Sequence, residues 1–206
     1  KRETARAAAK AIRKAGVEED EEVLYRAIFK LYSEKGIEYQ NTFQDLLSNY
    51  KISKHLLEHA KQAAIIAYTK KKYELLKPRP KVIQTLNSLK SKYKLAIVTD
   101  APREKAWQRL ILAGLDHYFY PVVTYSDTLE EKPSSKPFIR ALGKLGIKPE
   151  DTLFVGDNQN RDILGAKKAG MKTCLAKYGC QEYKEKDDVS DYRIQKFEDL
   201  LKVVKE

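Results

Sequence analysis

The sequence predicts an α/β protein, in which a parallel sheet with helices on both faces follows a small helical bundle. Apolar residues recur at helical spacing up to residue 77, and beyond Pro78 and Pro80 short apolar runs alternate with amphipathic helices. Strands that alternate with helices pair in parallel through right-handed crossovers, so helices should cover both faces of the sheet. The chain of 206 residues is therefore divided into residues 1–77 and 78–206.

The first part of the chain predicts helices and no strand. The helices are placed at residues 4–15, 20–33, 43–47 and 54–75. Ser53 is the expected N-cap of the last one. The second helix is expected to end before Gly36, with Val23, Ala27, Ile28 and Leu31 on its buried face.

The second part predicts strands separated by helices. The strands are placed at residues 94–99, 118–124, 152–155 and 172–176, with a short last strand at 192–194. The helices are placed at residues 103–113, 135–145, 161–169 and 197–204. Glycines end several of these helices, as is usual at helix C-termini.

Composition and charge limit the partners and the cellular location that the sequence predicts. The formal net charge of +11 suits attraction of anions, but the lysines are interleaved with glutamates along helices, which argues against nucleic acid as a partner. No apolar run approaches the roughly 18 residues that span a bilayer, so no membrane partner is expected. The two cysteines form no disulfide framework, so Cys174 is predicted to be a core residue and the cytoplasm is the expected location. The high charge with a single Met is typical of heat-adapted proteins.

Polar residues follow three of the predicted strands. Thr99 and Asp100 follow the first, Lys132 lies after the second, and Asp157 follows the third with Asp162 five residues later. Ligands bind at the carboxyl ends of the strands in open α/β sheets, so these groups should share one rim. Each has an ordinary structural alternative, such as a helix cap, a turn or a surface lysine. Together they suit a phosphoryl group and a hard divalent cation.

Three segments of the second part resemble a known family. Residues 95–100 (LAIVTD), 131–133 (EKP) and 156–166 (GDNQNRDILGA) resemble motifs II, III and IV of the haloacid dehalogenase superfamily, in the same order and at similar separations. The resemblance covers roughly residues 78–206. It implies a three-layer, Rossmann-like parallel-sheet core, with residues 1–77 as the α-helical cap domain that one subgroup inserts between motifs I and II.

The resemblance also implies a role for each site residue. Thr99 would bind a phosphoryl oxygen together with backbone N–H groups of the loop that begins at Asp100. Lys132 would neutralise negative charge, Asp157 would ligate Mg²⁺, and Asp162 would support the metal or its waters. The implied activity is Mg²⁺-dependent hydrolysis of phosphate monoesters of small metabolites through an aspartyl-phosphate.

No segment resembles motif I of this family, a strand ending in DxDx(T/V) whose first Asp is the nucleophile and whose second is the acid and base. That strand is central in the family's sheet, and its absence would expose unpaired backbone groups and apolar faces. We therefore expect a segment upstream of Lys1 to supply it. A continuous sheet built only from residues 1–206 would contradict this expectation.

Other functions stay open at this stage. An aspartate nucleophile also serves 2-haloacid dehalogenases, although Asp157 and Asp162 together favour a Mg²⁺-dependent phosphatase. A catalytically inactive protein that binds nucleic acid or another anion is a further alternative. Residues 55–59 spell H-x-x-E-H, a zinc-protease pattern, but no third ligand is evident and partly exposed surface histidines are the favoured interpretation. The sequence predicts neither the exact substrate nor the oligomeric state.

Overall fold

The structure, a computed structural model, describes residues 1–35, 39, 41–180 and 182–205. The chain forms two compact units, Lys1–Leu76 and Lys77–Glu206. The predicted helix end at Gly36 lies outside the described residues. Among the helices that are described, none combines the length and apolar character needed to cross a membrane.

The first unit is helical throughout its described residues. Its helices are α1 (Arg2–Lys14), α2 (Glu21–Lys35), α3 (Thr42–Ser48) and α4 (Lys54–Glu74). The Ser53 hydroxyl accepts a hydrogen bond from the Leu56 N–H at 3.1 Å, so the predicted cap of α4 is confirmed. Alanines of α1 and α4, such as Ala8 and Ala60, are fully buried, because small side chains let these two helices pack closely.

The buried face of α2 differs from the prediction. Leu24, Ile28 and Tyr32 are buried, whereas Val23 is 47% exposed. Residues four apart lie on one stripe of a helix, and Val23 is rotated by about 100° from Leu24. The stripe through Leu24 belongs to the core of the first unit, so the prediction was wrong for Val23.

The second unit alternates strands and helices. Its elements are α5 (Val82–Lys90), β1 (Ile97–Val98), α6 (Arg103–Leu112), β2 (Val122–Val123), α7 (Tyr125–Thr128), α8 (Lys136–Leu145), β3 (Leu153–Gly156), α9 (Leu164–Lys168), β4 (Lys172–Ala176), β5 (Tyr192–Ile194) and α10 (Leu200–Val203). The strand pairs in the described residues are all parallel, as predicted. α5 and α7 were not predicted.

The strands form two sheets, one with the order β1–β2 and one with the order β3–β4–β5. Strands β1 and β3 are only half-buried, whereas Thr173–Ala176 of β4 are buried. Strands of a parallel sheet are usually covered on both faces and paired on both edges. The described strands therefore do not make the continuous sheet that would have contradicted the expected upstream strand.

The first two strands are shorter than predicted. Pro121 has no N–H group and cannot donate to the ladder, which limits regular strand structure before Val122. Pairing still extends beyond the strand residues, since the Tyr120 N–H donates to the Leu95 carbonyl at 2.8 Å and the Thr99 N–H to the Val123 carbonyl at 2.9 Å. Thr99 is thus fixed at the carboxyl end of β1.

A capping box secures the turn after β2. The backbone N–H and the hydroxyl of Thr124 both donate to the Asp127 carboxylate, at 2.9 and 2.6 Å, and Arg103 pairs with its other oxygen at 2.9 Å. Burial alone would raise the pKa of Asp127, but these three donors outweigh it and lower the pKa to about 2. The carboxylate ties the start of α6 to α7.

Replacing Asp127 with Asn should therefore cost roughly 2 kcal/mol of unfolding free energy near pH 7. The folded pKa lies below the ordinary value, so the stabilisation is present above that value and is lost as the pH falls through about 2. Urea denaturation of both proteins at a series of pH values between about 7 and 2 measures it. A difference that stayed constant over this range would contradict the prediction.

Candidate active site

The loops that follow β1, β2 and β3 meet at one rim of the second unit. The Lys132 backbone N–H donates to the Asp100 carboxylate at 3.0 Å, which joins the first two loops. The Lys132 ammonium donates to Asp162 at 2.7 Å, which joins the second to the third. Arg161 adds a further link, 3.4 Å from the other oxygen of Asp100. The predicted convergence of polar groups therefore has a hydrogen-bonded framework.

Asp162 is the centre of this framework. Its side chain is 6% exposed, and one oxygen accepts the Lys132 ammonium. The other oxygen accepts the backbone N–H groups of Asp157 and Asn158, both at 3.1 Å. Because both oxygens already have donors, Asp162 acts here as an acceptor that positions two loops. Direct metal ligation, which the sequence suggested as one role, would require it to give up these partners.

A wide helical turn over Gln159–Ile163 gives Asp162 this orientation. The Asn158 carbonyl accepts from both the Asp162 N–H, at 2.8 Å, and the Ile163 N–H, at 3.2 Å. Such π-type turns occur often at functional sites. Gly156 makes room for the turn, since a Cβ atom there would lie 2.4 Å from the Cβ atom of Asp162. The glycine before Asp157 is thus required by this close approach.

Lys132 is buried to a similar extent, and its ammonium lies over the ring of Phe154. Its side chain is 10% exposed, and its ammonium is 6.0 Å from the centre of the Phe154 ring. Phe154 packs edge-on against Phe138, with ring centres 4.8 Å apart. An ammonium has three donors, so the bond to Asp162 leaves two for an anionic ligand. Lys132 is therefore held by packing over the Phe154 ring and by its ion pair with Asp162.

Asp157 is more accessible to solvent than Asp162, although part of its carboxyl group is shielded. Partial burial of its carboxyl group raises the pKa of Asp157, and the negative charge of Asp162 raises it further. Lys132 and a backbone N–H group act in the opposite direction without cancelling this effect. A divalent cation bound to Asp157 would favour the ionised form of its carboxyl group.

Thr99 lies at the same rim because it directly precedes Asp100, whose carboxylate accepts the Lys132 N–H. Its hydroxyl accepts a hydrogen bond from the Ala101 N–H at 3.2 Å. The hydroxyl hydrogen is left to donate, as contact with a phosphoryl oxygen requires. No described hydrogen bond joins Thr99 to Lys132 or Asp157, so the structure brings it to the rim by strand position.

The rival zinc pattern has no comparable geometry. His55, Glu58 and His59 are exposed on α4. Within the part of the chain that the structure describes, no group of three or more His, Cys, Asp or Glu side chains could hold a metal ion. Asp157 and Asp162 together offer two carboxylates, so they do not form such a group of three. Mg²⁺ commonly takes one or two protein carboxylates and completes its shell with water and phosphate oxygens.

The sequence predicted Asp100 as part of the phosphate-binding loop, but not that its carboxylate would join neighbouring loops. The contributions of Arg161, Gln159 and Gly179 were not predicted. Nothing in the spacing indicates which segments contact Gln159 and Gly179, because those partners are distant in sequence.

Comparison with known proteins identifies the family. A family model described as haloacid dehalogenase-like hydrolase matches residues 7–176 of the chain. The protein is a haloacid dehalogenase-like hydrolase. This confirms the resemblance found in the three motifs.

Individual relatives support the same family and fold. The chain is 39% identical to the glyceraldehyde 3-phosphate phosphatase of Methanopyrus kandleri, over 99% of this chain and 89% of that protein. A candidate β-phosphoglucomutase from Thermotoga maritima has a similar fold, with a TM-score of 0.74, 24% identity and coverage of 98% and 90% of the two chains. A candidate hydrolase of the family, YfnB from Bacillus subtilis bound to magnesium, matches with a TM-score of 0.67, 19% identity and coverage of 98% and 91%. The predicted α/β fold class and the phosphatase-like hydrolase class are confirmed.

Proposed function

We propose that this hydrolase cleaves phosphate monoesters of small metabolites, with Mg²⁺ as cofactor and an aspartyl-phosphate intermediate. The observation that carries the proposal is the buried Lys132–Asp162 pair next to the exposed carboxylate of Asp157. An ammonium with free donors suits a phosphate oxygen, and an open carboxylate suits a hard cation. The name of the Methanopyrus kandleri relative makes glyceraldehyde 3-phosphate the first substrate to test.

Each residue has a physical task in this proposal. The Lys132 ammonium, held by Asp162, donates to a phosphoryl oxygen and offsets its negative charge. The Thr99 hydroxyl and backbone N–H groups of the loop at Asp100 bind further phosphoryl oxygens. Asp157 would hold Mg²⁺, and bound Mg²⁺ would neutralise negative charge on the transferred group. Asp162 keeps both Lys132 and the Asp157 loop in position.

The nucleophile is assigned by this proposal to an upstream strand between β1 and β3. Support comes from the two separate sheets and from the half-buried state of both strands. An aspartate oxygen there would attack phosphorus while the bond from phosphorus to the ester oxygen breaks. The second motif I aspartate would protonate the leaving alcohol, and water would then release phosphate from the acyl-phosphate. The first unit would serve as the cap domain and contribute to substrate choice.

The test uses the complete encoded protein with any upstream residues included. We expect phosphate release from 4-nitrophenyl phosphate and from glyceraldehyde 3-phosphate, and loss of both reactions when EDTA removes Mg²⁺. Halide release from 2-chloropropionate without phosphate release would instead identify a dehalogenase. Binding of an RNA oligonucleotide that weakens with salt, with no turnover of any ester, would identify an inactive binding protein.

A further inference from the structure

The wide turn after β3 directs a second buried side chain away from the Lys132–Asp162 pair. Gln159 is 7% exposed. Its amide nitrogen donates to the Lys184 carbonyl at 2.8 Å, and its amide oxygen accepts the Lys184 N–H at 3.0 Å. We call these two hydrogen bonds the Gln159 clamp. It attaches the turn to the connection between β4 and β5, which is 25 residues away in sequence.

The same connection lies directly against Asp157. A Cβ atom on Gly179 would lie 2.7 Å from both the Cβ and the Oδ2 atoms of Asp157. The backbone at Gly179 therefore forms a wall beside this carboxylate. The wall also borders a cavity of about 290 Å³, whose other lining residues include Arg161 and Glu182.

From this geometry we infer that Gln159 is a positioning residue for the metal site. The Gln159 clamp holds the β4–β5 connection against Asp157 and thereby limits the orientations of the carboxylate that would bind Mg²⁺. The inference rests on the proposed function, because it assigns the metal to Asp157. A carboxylate that is mobile before it binds a metal ion must be ordered on binding, which weakens the affinity for the metal. Loss of a group that orients a metal ligand typically weakens metal affinity by about 10–100-fold.

The chemistry of the clamp requires an amide. Only a side chain with one donor and one acceptor matches both main-chain groups of Lys184. Gln159→Met keeps the volume of the side chain but leaves the Lys184 N–H and C=O groups without these partners. Gln159→Glu retains the acceptor and faces the Lys184 carbonyl with a second acceptor. The expected order of Mg²⁺ affinity is wild type, then Gln159→Glu, then Gln159→Met.

The experiment measures the Kd for Mg²⁺ by calorimetric titration of the full protein without substrate. We expect Gln159→Met to weaken binding by about 10–100-fold. Gly179→Ala should act in the same direction, because its methyl group must displace either the wall or the Asp157 side chain. Gln195→Met, the same chemical change at an exposed position after β5, is the matched control and should bind Mg²⁺ as the wild type does. At saturating Mg²⁺, kcat of Gln159→Met should recover toward the wild-type value.

The outcomes separate this inference from the proposed function. Wild-type protein that fails to bind Mg²⁺ would remove the metal from the proposed function and the inference with it. Wild-type binding combined with an unchanged Kd in Gln159→Met would overturn the inference alone. A fall in kcat that saturating Mg²⁺ does not reverse would likewise oppose it. If Gln159→Met does not fold, equal Kd values for Gln159→Glu, Gly179→Ala and the wild type decide against the inference.

Discussion

Replacing Lys132 with methionine is expected to lower the free energy of unfolding by about 3–5 kcal/mol and to abolish phosphate release. The stability loss arises because the Asp162 side chain, only 6% exposed, keeps its negative charge without its ammonium partner. Activity is lost because no other ammonium in the described site occupies that position. Guanidinium denaturation gives the stability change, and phosphate release from 4-nitrophenyl phosphate gives the activity.

A second substitution separates these two effects. In the double variant Lys132→Met with Asp162→Asn, the buried charge is gone. The amide oxygen of the new asparagine can still accept the N–H groups of Asp157 and Asn158. The double variant should recover most of the lost stability, because a neutral pair of similar volume avoids the cost of an unpaired buried charge. It should remain inactive. Recovery of activity together with stability would show that Lys132 has only a structural role.

Asp157→Asn should move activity and stability in opposite directions. Hydrolysis is expected to fall by about 1,000-fold, which corresponds to the several kcal/mol that a bound cation contributes to a phosphoryl transition state. The stability of the metal-free protein should rise at neutral pH, because the substitution removes a partly desolvated negative charge that is also repelled by Asp162. Thermal or urea denaturation in EDTA measures the change in stability. Phosphate release from 4-nitrophenyl phosphate measures the change in activity.

The pH dependence gives this prediction a further check. The folded pKa of Asp157 lies above its ordinary value of 3.8, so its favourable contribution is complete below that value and is lost as the pH rises through the folded pKa. The advantage of Asp157→Asn should therefore be small in acid and grow as the pH rises. Asp151→Asn, at an exposed position in the turn before β3, is the matched control. An equal gain at all pH values, or the same gain in the control, would contradict the explanation.

Much of the second unit could be predicted because its strands are short and β1, β2 and β3 are apolar runs followed by polar residues. β4 and β5 coincide with their predicted ranges. α5 was missed because it starts without a capping side chain, after Lys81 with a φ of 63°. α7 is a single turn that depends on the Thr124–Asp127 capping box, too short for helical periodicity to reveal. Local patterns therefore predicted the longer elements and missed those set by one or two contacts.

The candidate site shows a similar division. The residue types and their strand-end positions were readable, because parallel strands bring their carboxyl ends together. The hydrogen-bond partners of each group could not be predicted. Asp162 was expected to support the metal or its waters, and the spacing did not indicate that its two oxygens would accept hydrogen bonds from Lys132 and two backbone N–H groups. Such choices depend on a turn geometry that spacing does not specify.

The buried pairing of Lys132 with Asp162 also has a thermal consequence. Hydration of charged groups becomes less favourable as temperature rises, so the cost of removing these two charges from water falls on heating. Their mutual attraction is retained. The framework of the site should therefore lose less of its stability on heating than the apolar parts of the same unit, whose gain per unit of buried area levels off. On heating, the active-site rim would therefore be destabilised later than the apolar parts of the second unit.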